Sequence, residues 1–335
     1  LGGGARGAAR RARRRVASLP MDVLTAVDED RIAAHRKDDE FFWLDLESPD
    51  EAAVDTLQAA LDLHPMAHED TREFGQAPKA DVYHSYVLVV FFTALVSAHA
   101  DRVVRPVEVH VYISGSWIVT VRQAALPVLE QLHQRLAPAG DREEDYLVYR
   151  IFDELTDAFF PAISAIEERI DTIEAEVLER PRRELLGRVY RRKQEVHELQ
   201  RLIATQRDQF QNASDAILDL AGLSRGTRAY LRDIGDHLTQ LAGELQRQND
   251  DLTALAGIYF NASAERLNRT ATRLSVVATF FVVWTLITGF FGQNFQWLVD
   301  NVESRSDFLA FGVGGLVLPT VVLATVLWMK RHDWF

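Results

Sequence analysis

Cysteine is absent from this chain of 335 residues, which excludes a disulfide framework and a thiolate metal site. The stretch from 21 to 140 also contains no Gly-rich phosphate loop, no Ser-His-Asp set and no HExxH motif. No grouping of nucleophile, base and catalytic metal ligands stands out elsewhere in the sequence. We therefore expect a protein that is not an enzyme and that carries no bound cofactor.

Basic residues are the minority charge, with 37 Lys and Arg against 49 Asp and Glu. The six basic residues of the first twenty are all Arg, which leaves 31 basic against 49 acidic residues for the stretch 21–335. This acidity argues against a nucleic-acid partner. An acidic surface would instead concentrate cations around the protein.

Charge is missing altogether from two long C-terminal runs, Leu274–Val299 and Phe308–Met329. An apolar run of about 20 residues crosses a bilayer as a helix. The two runs therefore predict a membrane-spanning hairpin with the lipid bilayer as its partner. The alternative is a buried hairpin in a soluble protein, which rarely offers two such runs in succession.

The charges that flank these runs predict an orientation. Arg266, Arg269 and Arg273 precede the first run, Lys330 and Arg331 follow the second, and the loop between them carries Asp300, Glu303 and Asp307 against Arg305. Positively charged flanks stay in the cytoplasm. We expect a multi-pass protein of the plasma membrane with both termini cytoplasmic and a small acidic loop outside.

The first run contains a stripe of small or mildly polar residues spaced alternately three and four apart. Its members are Asn268, Ala271, Ser275, Ala278, Val282, Thr285, Gly289 and Gly292. Such a stripe is typical of tight packing between membrane helices. It is equally typical of several copies of one helix around an axis, where the polar members would line a narrow pore.

A second pattern leads into the first run. Leu238, Leu241, Leu245, Gln248, Leu252, Leu255 and Tyr259 repeat at the same spacing. This seam predicts a helical stalk that continues without interruption from His237 to Phe291, roughly 80 Å at 1.5 Å per residue. A helix of that length needs partners along its side, so we expect an oligomer.

The chain before the stalk divides by composition and pattern. We predict a disordered basic tail at 1–20, a cytoplasmic α/β domain at 21–140, a helical hairpin region at 141–236, a stalk that continues into the first span at 237–294, an external loop at 295–307, a second span at 308–329 and a basic cytoplasmic tail at 330–335. Alternating β-branched and aromatic residues predict strands in the α/β domain, with Gly115 as a turn. A capping Ser48 and an amphipathic pattern over Pro127–Leu136 predict helices, and Pro161 predicts a kink in the hairpin.

One pair of histidines invites a metal assignment. His64 and His68 lie four residues apart beside Glu69 and Asp70. Pro65 would interrupt a helix at the point where both ligands need a shared face. We therefore expect a structural role for this stretch.

The end of the first run carries a specific resemblance. The segment from Ala278 to Phe295, which includes Gly292-Gln293-Asn294, resembles the CorA family of divalent-cation channels, whose first span ends in Gly-Met-Asn. The stretches HPMAHED (64–70) and VEVHVYISGSWIVTVR (107–122) are also similar to that family. The resemblance implies an α+β fold, with a cytoplasmic α/β domain, a long helical hairpin and a stalk helix followed by two C-terminal transmembrane helices. It further implies a funnel-shaped homopentamer whose five first spans enclose one pore.

The resemblance also implies roles for individual residues. Gly292, Gln293 and Asn294 would form the selectivity mouth; Asn268, Leu274, Ser275, Ala278, Val282, Thr285 and Gly289 would line the pore; and Asp300 and Glu303 would lie in the external loop. The implied function is a channel or transporter for a hydrated divalent cation, Mg²⁺ first, with Co²⁺ and Ni²⁺ as further candidates. Two alternatives stay open: a zinc transporter of the ZntB-like branch, and a membrane-anchored oligomeric scaffold that does not conduct.

The chain departs from the family pattern at several positions. Gln293 replaces the usual Met, Phe291 the usual Tyr, and Val283 stands where many relatives have Pro. Asp233 matches an acid of the family's regulatory metal site, whereas its usual partner position near Leu95–Val96 has no carboxylate. We expect weak feedback by cytoplasmic Mg²⁺ unless another acid, Asp101 or Asp236, supplies the second carboxylate.

Overall fold

The computed structural model describes residues 22–97, 102–136, 144–220, 227–293, 296–302 and 304–329. The predicted tails at 1–20 and 330–335 lie outside these residues, as do Asp101, Asn294 and Glu303. The strands are β1 (Asp22–Leu24), β2 (Phe42–Glu47), β3 (Lys79–Val82), β4 (Tyr86–Val96), β5 (Val104–Ser114) and β6 (Trp117–Arg122). The helices are α1 (Glu29–Asp38), α2 (Glu51–Leu61), α3 (Pro65–Arg72), α4 (Pro127–Leu136), α5 (Glu144–Asp157), α6 (Phe159–Glu179), α7 (Arg183–Leu218), α8 (Thr227–Phe291), α9 (Gln296–Asn301), α10 (Arg305–Asp307) and α11 (Gly314–Met329).

The strands form one mixed sheet in the order β1-β2-β6-β5-β4-β3. β1, β2 and β6 run parallel, whereas β6, β5, β4 and β3 pair antiparallel. Gly115 lies in the short connection between β5 and β6, and Ile113 pairs with Ile118 across it. The predicted strands and the helix Pro127–Leu136 are confirmed.

Alternation along β2 distributes its side chains between two layers. Phe42, Leu44 and Leu46 are buried in a core that α2 completes with Leu57 and Leu61. On the other face, Trp43 Nε1 donates to Thr120 Oγ1 at 3.0 Å, and that hydroxyl donates to Asp45 at 2.6 Å. A period of two residues per face is what a strand covered on both sides requires.

The predicted cap of α2 is wrong by two residues. Asp50, not Ser48, occupies the cap position, and its side chain accepts from Ala53 N at 2.8 Å. Ser48 has a left-handed φ of 46° and its N–H donates to Arg122 O at 2.6 Å. The backbone of Ser48 is therefore hydrogen-bonded to the end of β6, and Asp50, which lies nearer the helix, caps it instead.

The helices α5, α6 and α7 follow α4 along the chain. The apolar stripe of α5 and α6 is buried, and the break between them at Ala158 lies just before Pro161, which has no N–H to continue the helix. Glu176 near the end of α6 accepts two hydrogen bonds from Arg188 Nη1, at 2.8 and 2.7 Å, near the start of α7. The predicted helical hairpin is therefore formed by α6 and α7.

The long helix α8 begins at Thr227, before the predicted start at His237. The sequence analysis took the leucine seam of this helix as evidence for an oligomer, and that interpretation is wrong. The seam is buried within the single chain, where four of its members are fully buried: Leu238, Leu241, Leu245 and Leu252. Polar bonds to α6 and α7 flank the seam: Gln248 Nε2 donates to Ile163 O at 3.0 Å, Gln200 Nε2 to Gln246 Oε1 at 2.5 Å and Lys193 Nζ to Thr253 Oγ1 at 2.8 Å. The seam thus finds its partners within its own subunit and is no argument for an oligomer.

The chain divides into two compact units, one of residues 1–176 and 182–256, the other of residues 177–181 and 257–335. Two helices in the described part of the chain are long and apolar enough to cross a membrane, namely α8 in its C-terminal part and the segment Arg305–Met329. The second begins with α10, continues through a π-helical turn, Phe308–Val313, and contains Pro319 inside α11. Helix-breaking residues of this kind are tolerated in membrane helices because neighbouring groups satisfy the freed backbone.

Candidate functional site: an exposed stripe on the long helix

The predicted pore positions lie together on one face of α8. Asn268, Leu274, Ser275, Ala278, Val282, Thr285 and Gly289 are all exposed in the single chain. The half-buried positions are different ones, namely Thr272, Val276, Phe280, Val283 and Ile287. At 100° per residue, the two sets are centred roughly 130° apart around the helix.

Contacts with the second apolar helix explain this division. Trp284 Nε1 donates to Thr320 Oγ1 of α11 at 2.7 Å, and the same hydroxyl donates to Leu316 O at 2.7 Å. α11 therefore packs beside the half-buried face of α8. The small-residue stripe is turned away from it, which leaves the stripe available to other copies of the helix or to an axis between them.

The threonines near the C-terminal end of α8 donate their hydroxyl protons to carbonyl groups of the same helix. Thr285 Oγ1 donates to Phe281 O at 2.7 Å, and Thr288 Oγ1 donates to Trp284 O at 2.8 Å. A hydroxyl that has given its proton to a backbone carbonyl presents only lone pairs to its surroundings. Thr285 thus provides an acceptor on the exposed stripe.

The helix ends where the resemblance to the Gly-Met-Asn signature begins. Gly292 N donates to Thr288 O at 2.8 Å, and Gln293 N donates to Phe290 O at 3.2 Å. A Cβ added at Gly292 would lie 3.1 Å from Thr288 O, closer than most side chains tolerate. Glycine therefore allows the tight turn that exposes Gln293; Asn294 itself is not among the described residues.

The segment after the turn is helical rather than an open loop. Asp300 is exposed on α9. Ser304 and Asp307 form a capping box at α10, in which Ser304 Oγ accepts from Asp307 N and Asp307 accepts from Ser304 N, each at 3.1 Å. Asp307 is thus engaged in capping, while Asp300 stays available to solvent.

Asp233 lies in the first unit, beside a tyrosine. Tyr149 Oη donates to Asp233 Oδ2 at 3.1 Å, and its ring stacks on Tyr230 with centroids 4.8 Å apart. Burial, followed by the charges of Asp153 and Asp233, raises the pKa of Tyr149. The phenol therefore stays protonated and donates its proton to Asp233.

A group of metal-ligand types adjoins this tyrosine, and the sequence analysis missed it. Oxygen or nitrogen atoms of Asp153, Asp157 and His237 all lie within 4.8 Å of one another. His237 Nδ1 is 3.7 Å from an oxygen of each aspartate. Burial and the nearby Asp153 raise the pKa of Asp157. The spacing of Asp153 and Asp157, four apart on α5, was a signal in the sequence, but only the fold brings His237 of α8 to them.

The histidines His64 and His68 do not meet in a ligand set. His64 caps α3, where its Nδ1 accepts from Met66 N at 3.2 Å, and His68 Nε2 lies 2.8 Å from Asp55 Oδ1. Pro65 starts the helix instead of interrupting it. Both contacts are structural, as expected.

Comparisons with known proteins identify the family and the fold. The family model described as "CorA-like Mg2+ transporter protein" matches residues 38–331. The cobalt/magnesium transport protein CorA of Thermotoga maritima is 26% identical over 278 residues, 81% of this chain and 77% of that protein. The zinc transport protein ZntB of Photorhabdus laumondii is 25% identical over 252 residues, 73% of each chain. The solved structure of the CorA magnesium transporter from Methanocaldococcus jannaschii superposes with a TM-score of 0.75 at 16% identity, covering 88% of this chain and 92% of that one.

The family match and the fold thus define a membrane ion transporter with a soluble α/β domain, a long stalk helix and two C-terminal apolar helices. The chain belongs to the CorA-like Mg²⁺ transporter family.

Proposed function

We propose that this protein is a passive divalent-cation channel in which five copies of α8 surround a single pore. The observation that carries the proposal is the exposed stripe, which lies on the face of α8 turned away from α11. Since the leucine seam of the stalk is buried within the subunit, it is not available to other copies of the chain, whereas the stripe is exposed among the described residues. Five such stripes around an axis would enclose one path.

The chemistry of the stripe suits a hydrated ion. Mg²⁺ gives up its water reluctantly, so a pore that accepts hydrogen bonds from the hydration shell avoids the cost of stripping it. Thr285 offers lone pairs of this kind, because its proton is already donated to Phe281 O. Leu274 and Val282 would form apolar rings that close the path by dewetting.

The mouth of the pore would be formed by Gly292, Gln293 and Asn294. The tight turn at Gly292 supports this proposal, because it ends the helix and places Gln293 in solvent. Five amide side chains at one level would hold the water shell of an arriving cation. Asp300 and Glu303 in the external segment would raise the local cation concentration.

Mg²⁺ is the proposed cargo, with Co²⁺ and Ni²⁺ as further candidates. Zinc is the alternative that a relative's name favours, since the similar protein of Photorhabdus laumondii is a zinc transport protein. A non-conducting scaffold is the other alternative. The polar members of the stripe favour conduction, because they would interact with a hydrated ion in a pore, whereas a scaffold does not require polar groups there. These members are Asn268, Ser275 and Thr285.

Orientation is part of the proposal. The arginines before the first span and the acidic segment after it support cytoplasmic termini in the plasma membrane. A reporter that fluoresces only in the cytoplasm, fused to either end of the chain, should light up in intact cells. Fluorescence from neither fusion of a correctly inserted protein would reverse the assignment.

Regulation by cytoplasmic cations would use Asp233. The hydroxyl of Tyr149 lies between Asp233 and the group formed by Asp153, Asp157 and His237. A cation near Asp233 would therefore have oxygen and nitrogen ligands nearby. We expect Asp233→Ala to change the cytoplasmic Mg²⁺ dependence of uptake only modestly, since those donors remain. Protease digestion of the stalk with and without millimolar Mg²⁺ provides the test; strong protection that vanishes in Asp233→Ala would contradict it.

The assembly and the mouth are tested together. The mass of the purified protein in mild detergent, supported by cross-linking, should be that of five chains. Asn294→Ala should form the same pentamer and lose transport, because the change removes a polar ring and leaves the apolar helices intact. A monomeric protein would overturn the pore, whereas normal uptake by a pentameric Asn294→Ala would remove Asn294 from the mouth.

A further inference from the structure

A second stripe runs along α8 on the side away from the proposed pore. Its members are Arg266, Arg269, Arg273, Val277, Phe280 and Trp284, spaced 3, 4, 4, 3 and 4 apart. At 100° per residue they fall within roughly 80° of one another, nearly opposite the small-residue stripe. The stripe is therefore basic over about two turns and then apolar over about two more, on one face of one helix.

We propose that this face binds a phospholipid with a net negative head group, whose phosphate lies at the three arginines and whose acyl chain follows the apolar residues. The proposal rests on the apolar helices spanning the membrane and is independent of what the pore conducts. It also holds in either orientation, because the arginines adjoin the uncharged run at its boundary on whichever side that boundary lies.

The arginines are available for such a ligand. Arg266, Arg269 and Arg273 are all exposed, and Arg269 Nη2 lies 2.5 Å from Glu265 Oε1. Within the part of the chain that the structure describes, Arg266 and Arg273 have no acidic partner. One glutamate thus opposes three guanidinium groups, and guanidinium is the side chain that binds phosphate oxygens through paired hydrogen bonds.

The apolar half of the stripe favours a lipid over a free phosphate ion. Val277 is 52% exposed and Trp284 42% exposed, with Phe280 in edge-to-face contact with Trp284 at 6.5 Å. From Arg273 to Trp284 the helix rises about 16 Å, close to half of the hydrocarbon thickness of a bilayer. A single anionic lipid in one leaflet matches both the charge and the length of this face.

The occupant is separated from the pore by geometry. Trp284 donates its indole N–H to Thr320 of α11, so the basic stripe continues into the side of α8 where the second span lies. In an assembly that turns the small-residue stripe inward, the exposed parts of Val277 and Trp284 would lie beside α11 and face the bilayer. Lipid bound here would hold the start of the first span against the membrane surface.

Lipid retention by the purified full-length protein tests the proposal. Native mass spectrometry would compare phosphatidylglycerol with phosphatidylcholine of the same acyl chains at equal concentrations. Since each basic residue near an anionic lipid contributes about 1 kcal/mol, we expect the wild-type protein to prefer phosphatidylglycerol by about tenfold or more. The triple variant Arg266→Gln, Arg269→Gln, Arg273→Gln should lose this preference.

Two controls make the result decisive. The triple variant Arg228→Gln, Arg232→Gln, Arg247→Gln removes the same charge from exposed positions of the same helix and should keep the preference. Replacing the three stripe arginines by Lys keeps the charge and should preserve a reduced preference, even if the Gln variant fails to fold. Equal retention of both lipids by the wild type, or equal loss in the control variant, would overturn the proposal. Displacement of the lipid by soluble glycerol phosphate would also overturn it, in favour of a free phosphate site.

Discussion

Trp284 and Thr320 join the two apolar helices through a hydrogen bond of 2.7 Å from the indole Nε1 to the hydroxyl Oγ1. The hydroxyl gives its own proton to Leu316 O, so its lone pairs are free to accept from the indole. The bond places Trp284 of α8 beside α11, on the side of the helix away from the small-residue stripe.

Removal of this bond should loosen the packing of the two helices. Trp284→Phe keeps an aromatic ring and removes the donor, and we expect it to lower thermal stability in detergent by about 1 kcal/mol. Thr320→Val should cost a similar amount, and the double variant should cost little more than either single one. Fully additive losses in this double-mutant cycle would show that the two side chains are not coupled.

Gly292 should be intolerant of a side chain. Gly292→Ala would bring a Cβ to 3.1 Å from Thr288 O, so the turn must shift and the mouth must move with it. We expect a loss of cation uptake with assembly unchanged. Gly243→Ala is the control, because its Cβ would meet nothing within 4 Å; it should keep transport and gain about 1 kcal/mol of helix stability.

Thr285 should matter through its oxygen and not through its shape. Thr285→Val has nearly the same volume but no lone pairs, so the rate of Mg²⁺ uptake should fall while the pentamer persists. Thr325→Val is matched to it, since Thr325 Oγ1 also donates to a carbonyl four residues earlier, at 2.7 Å, but lies on α11. Uptake that falls equally in both variants would point to general destabilisation of the spans.

The soluble unit contains a buried charge pair with a testable pH dependence. Arg122 Nη2 lies 3.1 Å from Asp45 Oδ2, and both side chains are almost fully buried. Burial alone would raise the pKa of Asp45, but hydrogen bonds from His133 and Arg122 outweigh it and hold the pKa below its ordinary value. The pair therefore stabilises the fold above the unfolded pKa of about 3.9, and this contribution is lost as the pH falls through the lower folded pKa.

Asp45→Asn should accordingly leave Arg122 buried without its charge partner and cost about 3–5 kcal/mol at neutral pH. Hydrogen exchange of the β2 and β6 amides in the full-length protein measures this loss, which should shrink in strong acid. Asp28→Asn is the control, because Asp28 is an exposed helix cap and Asn caps equally well. Unchanged exchange in Asp45→Asn would show that the pair contributes nothing to stability.

Periodic patterns in the sequence were sufficient to predict many of the strands and helices of the fold. The structure contains the strands predicted from the alternation in β4, β5 and β6, and the helices predicted from the two uncharged runs. Both predictions succeed because a strand or a membrane helix requires apolar residues in a regular pattern. The seam from Leu238 to Leu255 was assigned to the wrong partner. A heptad pattern says that a face is buried but not whether α6 and α7 or another subunit buries it.

Some parts of the candidate sites follow from local sequence patterns, whereas others form only through tertiary packing. The stripe from Asn268 to Gly289 could be recognised because its spacing is local to one helix; its role in a pore stays a prediction. The contacts among Asp153, Asp157 and His237 could not, since α5 and α8 are brought together only by tertiary packing. The cap of α2 was misplaced because the sheet end engages Ser48, which no local pattern reports.

Cation uptake into empty liposomes tests the central claim most directly. Purified protein would be reconstituted, and the entry of Mg²⁺, Co²⁺, Ni²⁺ and Zn²⁺ would be followed with an enclosed indicator in the absence of a proton gradient. If α8 lines a conducting pore, Mg²⁺ should enter down its concentration gradient through the wild-type protein. No Mg²⁺ should enter through an equally assembled Asn294→Ala. If the assembled wild-type protein admits none of the four ions, the claim that α8 lines a conducting pore is wrong.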